Sequence, residues 1–153
     1  MPRRIYFSHG MFFLYDASER APGNAWTDEH ASQGFARRPT AANIGTVIED
    51  GWLDVEVGSP ELLDECERVV AVSIRSDSGA ISISGTEPED HVVWKGGPGW
   101  VRVTVGQMLG AEDRELQLFV VAEEATTEEA TRVRIRGEWV RRAFVETAEV
   151  ARY

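Results

Sequence analysis

At 153 residues, 42% hydrophobic and 27% charged, the chain has the make-up of a globular protein and is long enough to bury a core without metals or disulfides. Its 26 acidic residues against 16 basic ones leave a formal charge of −10, which disfavours direct binding to nucleic acid or anionic membranes and favours a basic partner. The single cysteine, Cys66, excludes an internal disulfide and a cysteine-based metal cluster.

The N-terminal MPRRIYFSHGMFFLYD carries two arginines and a brief apolar run, with no small-residue cleavage site. It is therefore not a signal peptide, and no segment approaches the ~20 apolar residues of a membrane helix. The expectation is one domain over residues 1–153, cytoplasmic, with no cofactor. Residues 5–15 (IYFSHGMFFLY) read as an aromatic-rich strand or pair of strands, with Gly10 as a bulge or turn.

After a loop over Ser18–Asn24, the stretch Trp26-Thr27-Asp28-Glu29-His30-Ala31-Ser32-Gln33-Gly34 departs from the two-residue period around it. Thr27 is suited to cap a helix N-terminus, Asp28 and Glu29 put negative charge on the positive end of its dipole, and Gly34 supplies a left-handed stop. Trp26, just before the cap, is expected to fold back on the first turn and pin it.

Residues 43–50 and 52–57 read as strands separated by Asp50-Gly51, a two-residue hairpin signal. Leu53, Val55 and Val57 share one face, and Trp52, Asp54 and Glu56 the other. Ser59-Pro60 opens a short helical turn near Pro60–Cys66, with Ser59 as cap. Alternation resumes at Val70, Val72 and Ile74, continues past Ser76–Gly79 into Ala80–Ser84, and returns at His91–Lys95, Val101–Val105 and Glu115–Val121. Val133 and Ile135 form an apolar row opposite Arg132, Arg134 and Arg136. Past Gly137, either Trp139, Val140 and Phe144 continue a strand or a helix begins near Glu138; strand is the preferred reading.

Short strands at roughly ten-residue spacing, with turns between, indicate an all-β fold: an antiparallel β-sandwich of about eight strands with one or two short helical turns. No βαβ rhythm appears, which argues against parallel pairing. The expected core comprises Val72, Ile74, Ile81, Ile83, Val103, Leu118 and Val120.

Chemistry-bearing constellations are scarce. His9, His30 and His91 lack metal-ligand spacing, and His30 reads as a surface histidine of a first helical turn. No serine sits in a nucleophile elbow, and Gly96-Gly97-Pro98-Gly99 lacks the lysine and helix of a phosphate loop. Cys66, beside Asp64, Glu65 and Glu67, is a poor nucleophile. The acidic groups Glu87, Glu89 and Asp90, Glu112 and Asp113, and Glu123 and Glu124 lack the Asp-x-Asp-Gly rhythm of a calcium loop and read as solvated turns. Trp52, Trp94 and Trp100 raise a sugar-stacking platform, against the commoner fate of core or edge packing. No catalytic or metal site is expected.

Three words in the sequence carry a resemblance: Phe12-Phe13-Leu14-Tyr15-Asp16, Ala25-Trp26-Thr27-Asp28-Glu29 and Gln33-Gly34-Phe35-Ala36. With the Ser/Asp/Gly turn before Ile81 and Ile83 and the Leu116-Gln117-Leu118 strand, the chain from about Phe12 to about Ile135 resembles the competence protein J family. That family is known as inhibitors of a DNA-entry nuclease. The chain departs from the family's compact pattern at Gly96–Gly99 and in an extended tail, residues 137–153.

The resemblance implies a non-catalytic acidic protein that inhibits a nuclease or similarly basic enzyme by protein–protein contact. Its carboxylates would lie where substrate phosphates lie. Trp26, Thr27, Asp28 and Glu29 are the candidate partner-binding residues, with Glu128 and Glu129 as loop surface for comparison. The alternative is a ligand- or calcium-binding β-sandwich module using the loop carboxylates and exposed tryptophans.

Overall fold

A computed structural model describes residues 3–85 and 91–151. The acidic group Glu87, Glu89 and Asp90 lies outside the described residues. In chain order the elements are β1 (Arg3–Phe7), β2 (Met11–Asp16), α1 (Asp28–Gln33), β3 (Phe35–Arg38), β4 (Ala41–Gly45) and β5 (Gly51–Val57). A 3₁₀ turn (Pro60–Glu65) follows, then β6 (Arg68–Ser76), β7 (Ala80–Ser84), β8 (His91–Lys95), β9 (Gly99–Leu109), β10 (Glu115–Ala125), β11 (Arg132–Ile135) and β12 (Glu138–Trp139).

The strands form a seven-stranded sheet, ordered β1-β5-β10-β9-β6-β11-β12, and a five-stranded sheet, ordered β3-β4-β2-β7-β8. One apolar cluster takes side chains from both: Leu53, Val72, Val103 and Leu118 from the larger sheet, and Phe12, Leu14, Ile44 and Ile83 from the smaller. The all-β sandwich is what alternation predicts, because a period of two sends every second side chain to one face. All seven expected core residues are at most 1% exposed. Leu118→Ala should consequently cost about 3 kcal/mol, the usual range for a buried leucine whose site collapses incompletely. Chemical unfolding would show a lower midpoint at unchanged slope.

The strands outnumber the expected eight in part because short runs stand at sheet edges. The two-residue β12 and the four-residue β3 carry too little pattern to be read as separate strands. The fold also contains one parallel pair, β5 with β10. Leu53 and Val55 lie beside Leu116 and Leu118 there, and the 3₁₀ turn and strands β6 to β9 intervene, so no βαβ signature marks it.

The Asp50-Gly51 hairpin does not form. β4 belongs to the smaller sheet and β5 to the larger, and Gly51 is needed for a different reason. Its φ is +145°, and a Cβ there would come within 2.0 Å of the Arg114 carbonyl oxygen, which accepts the Trp52 N–H at 2.8 Å. Gly10, at φ +65°, likewise turns the chain between strands of opposite sheets. Ser59 makes no side-chain cap bond to the 3₁₀ turn. Ile135 is 45% exposed while Val133 is buried, so the expected apolar row is a single residue deep. The tail continues as a strand through Trp139 and then runs on without regular structure.

Candidate functional site

α1 is held by both of its ends. The Thr27 hydroxyl accepts the His30 N–H at 3.3 Å, and the His30 ring Nδ1 accepts the Thr27 N–H at 3.0 Å. The histidine thus takes the part that glutamate or glutamine plays in a capping box. Its Nε2 lies 2.9 Å from the Thr147 carbonyl oxygen, which fixes the tautomer with the proton on Nε2. His30 is therefore buried, contrary to the expected surface position. Trp26 packs edge-on against the same ring, with centroids 6.4 Å apart. At the other end Gly34 has φ +86°, and a Cβ there would come within 1.6 Å of the Arg68 guanidinium. The left-handed backbone is what requires glycine here, since the guanidinium is the end of a flexible side chain and can shift.

Of the four residues expected to meet a partner, the structure divides two from two. Trp26 and Thr27 are spent on anchoring the turn, Trp26 half-buried and Thr27 through its cap bonds. Asp28 and Glu29 are exposed and make no ion pair among the described residues. A carboxylate pair is thereby presented on a rigid base.

That base includes the tail. The Gln33 side chain donates to the Phe35 and Val145 carbonyls and accepts the Val145 N–H, each at 2.9 Å. Phe144 stands edge-on to Phe35 at 5.3 Å. Ala25 N–H donates to Glu149 O at 2.8 Å, and Ala151 N–H to Gly23 O at 3.0 Å. Beneath them Arg37, its side chain 3% exposed, donates to Ser73 O at 2.8 Å and to Glu128 at 2.9 Å, with Glu146 at 3.5 Å. Glu129 pairs with Arg102 at 2.6 Å. Glu128 and Glu129 are exposed in the β10–β11 loop, as expected, and each is engaged in an ion pair there. None of these long-range partners left a pattern in sequence; Gln33 opens one of the family-like words and Arg37 follows it directly, but polar residues on a helix and an edge strand normally face water.

A second polar centre joins the sheets. Asp16, at the end of β2, accepts hydrogen bonds from the Ser76 hydroxyl at 2.8 Å, the Ser78 hydroxyl at 2.7 Å and the Ser78 N–H at 3.1 Å, and from the Ser18 hydroxyl. Burial pushes its carboxyl up, but the bonds from Ser18, Ser78 and Ser76 outweigh it and hold the group at about 2. Because the folded value lies below the ordinary one near 4, the charged form stabilises the fold fully above about pH 4. That contribution is lost as pH falls through 2. Asp16→Asn should remove this acid limb from a pH titration of the melting temperature, while lowering stability at neutral pH.

Elsewhere the chemistry is sparse. Among the described residues no group of three or more His, Cys, Asp or Glu side chains is arranged to hold a metal. The Cys66 thiol is raised chiefly by burial, with Arg134 opposing and Glu65 adding to it. Trp52 is 42% exposed, with Tyr6 edge-on to it at 5.5 Å and the Arg4 guanidinium 5.9 Å from its ring centroid, so part of the indole is already engaged. No helix among the described residues is long and apolar enough to cross a membrane.

The family model for Competence protein J (ComJ) matches residues 4–135. Among solved structures, that of ComJ from Bacillus subtilis, an inhibitor of the DNA-degrading activity of NucA, is similar at 18% identity. The likeness covers 80% of this chain and 93% of that one, with a TM-score of 0.65. A second, described as crocagin biosynthetic gene J, covers 81% of this chain and 98% of its own at 16% identity and a TM-score of 0.47. No curated protein sequence matches the chain. At 18% identity the likeness to ComJ is one of fold, and the tail that clamps α1 lies beyond the residues matched by the family.

Proposed function

The chain belongs to the competence protein J family, and on that premise we propose that it is a non-catalytic inhibitor of a nuclease or similarly basic enzyme, acting by direct protein–protein contact. Family membership over most of the chain is the observation that carries this reading. The fold shared with an inhibitor of a DNA-degrading activity supports it. The net charge of −10 supplies a mechanism. A nuclease groove is positive because it holds phosphates, and a rigid surface of carboxylates can occupy it with fast, salt-sensitive association.

Asp28 and Glu29 are the carboxylates best placed to act. They are exposed and make no ion pair among the described residues, and their backbone is fixed by the Thr27–His30 cap and by Gly34. Preorganisation of this kind lowers the ordering cost of binding. Reversing both charges (Asp28→Lys with Glu29→Lys) should weaken inhibition at least about tenfold, a typical cost for close interfacial charges. The matched control is Glu112 and Asp113, exposed in the β9–β10 turn, whose reversal should change little.

The decisive measurement titrates the protein against a basic DNA-degrading nuclease and follows DNA hydrolysis. Inhibition that ends at a defined stoichiometry is expected. Association should slow as salt rises from ~50 to ~500 mM, where the Debye length shrinks from ~14 to ~4 Å. Failure to inhibit any such nuclease at stoichiometric protein, with recovery of only a sugar or metal ligand, would refute the proposal.

A further inference from the structure

Five of the 16 basic residues of this acidic chain, Arg132, Arg134, Arg136, Arg141 and Arg142, fall between positions 132 and 142, a stretch whose one acid is Glu138. Residues 132–139 form the β11–β12 hairpin at the end of the larger sheet, and Arg141 and Arg142 follow directly after it. Among the described residues the outer rim of β12 has no neighbouring strand. The ladder that holds this rim extends to Val140, whose N–H donates to Val133 O at 2.8 Å.

The arginines are not used alike. Arg134 and Arg136 pair with Asp64 and Glu67 at 3.4 and 3.0 Å. Arg132 instead lies over the Trp139 ring, 4.1 Å from its centroid, and Arg142 lies 5.7 Å from that of Phe144. Arg132, Arg141 and Arg142 meet no carboxylate among the described residues. Trp139 and Ile135 are exposed beside them, and a cleft of about 510 Å³ is lined by Gly137, Glu138, Trp139 and Arg141.

A charged rim discourages edge-to-edge pairing between copies of a protein. That role alone does not call for an exposed indole holding a guanidinium in place, nor for three uncompensated arginines in a chain with acids to spare. We propose that the β12 rim docks an extended acidic segment of a partner protein. The segment adds as a further strand, and its carboxylates meet Arg132, Arg141 and Arg142.

Charge complementarity selects this occupant. A second copy would bring an identical basic rim against this one in any two-fold arrangement. Nucleic acid is a long polyanion that would also feel the net negative charge of the whole molecule. The Trp139 face on which a base would stack already carries Arg132. A short acidic strand touches the rim alone.

The test uses the full chain and a labelled, end-blocked peptide of about six residues alternating glutamate with valine, the length of an average strand. Fluorescence anisotropy should show binding that weakens with salt. The triple variant Arg132→Glu, Arg141→Glu and Arg142→Glu should keep its melting temperature and lose at least about tenfold in affinity. A second peptide of the same sequence, with every backbone nitrogen methylated, has no N–H to give a strand edge from either side and should fail to bind the unaltered protein. Equal binding of the methylated peptide, unchanged affinity in the triple variant, or tighter binding of oligothymidylate of matched charge would each overturn the proposal. The nuclease titration is read separately, so either reading can fail without the other.

Discussion

Arg37→Ala should lower the free energy of unfolding by about 3 kcal/mol, within the range for breaking a buried, hydrogen-bonded charge. The Arg37 side chain is 3% exposed and joins three parts of the molecule: Ser73 of β6, Glu128 of the β10–β11 loop and Glu146 of the tail. Its removal leaves the Ser73 carbonyl without this donor and opens a void between the sheets. The carboxylates of Glu128 and Glu146 are partly open to water, at 45% and 31%, and can rehydrate, which keeps the cost below that of a fully buried pair. Arg37→Lys should recover part of the loss, since a single ammonium cannot span the same forked set of acceptors. Chemical unfolding of the two variants checks this; a loss under about 1 kcal/mol for the alanine variant would show the network to be ornamental to stability.

The contrast between Val72 and Arg37 explains what could be read from sequence. Val72 opens the alternating run Val72-Ser73-Ile74-Arg75, and alternation is local: it needs no knowledge of what packs opposite. The core strands, the Thr27 cap and the Gly34 stop were legible on those terms. Arg37 sits on an edge strand, where a charged residue normally faces water. It is buried only because the tail and the β10–β11 loop close over it, and those contacts span 109 and 91 residues.

The same limit governs the candidate site. Trp26, Thr27, Asp28 and Glu29 stand out because a helix start interrupts a two-residue period, and the cap chemistry is local enough to be legible there. The burial of His30 is not legible, because it depends on the Thr147 carbonyl across 117 residues of chain. Asp50-Gly51 misled for a related reason. Glycine was required there by the approach of Arg114 from another strand pair, and dipeptide chemistry alone cannot distinguish a hairpin from such a contact.

Ending the chain at Gly137 should be more damaging than any of these substitutions, although the residues removed lie beyond those matched by the family. The cut deletes β12 and the tail that crosses from the β11 edge of the larger sheet to α1 and β3 of the smaller. His30 Nε2, the Gln33 amide, Arg37 and Thr131 would each lose a partner. Unsatisfied buried groups cost ~1–3 kcal/mol apiece, and Phe35 would lose the edge of Phe144. Water can repair some of these losses once the cover is gone, so about 5 kcal/mol is the expected total, comparable with the whole stability of many small domains. Hydrogen exchange should report it first at Thr27–Gly34, whose amides ought to lose protection before the β9–β10 ladder does. Inhibition by any truncated protein that remains folded should fall as well, because Asp28 and Glu29 would no longer be held on a fixed base. A truncated chain melting within a few degrees of the full one, with the helix still protected, would show that the Thr27–His30 cap suffices alone and that the tail serves only the β12 rim.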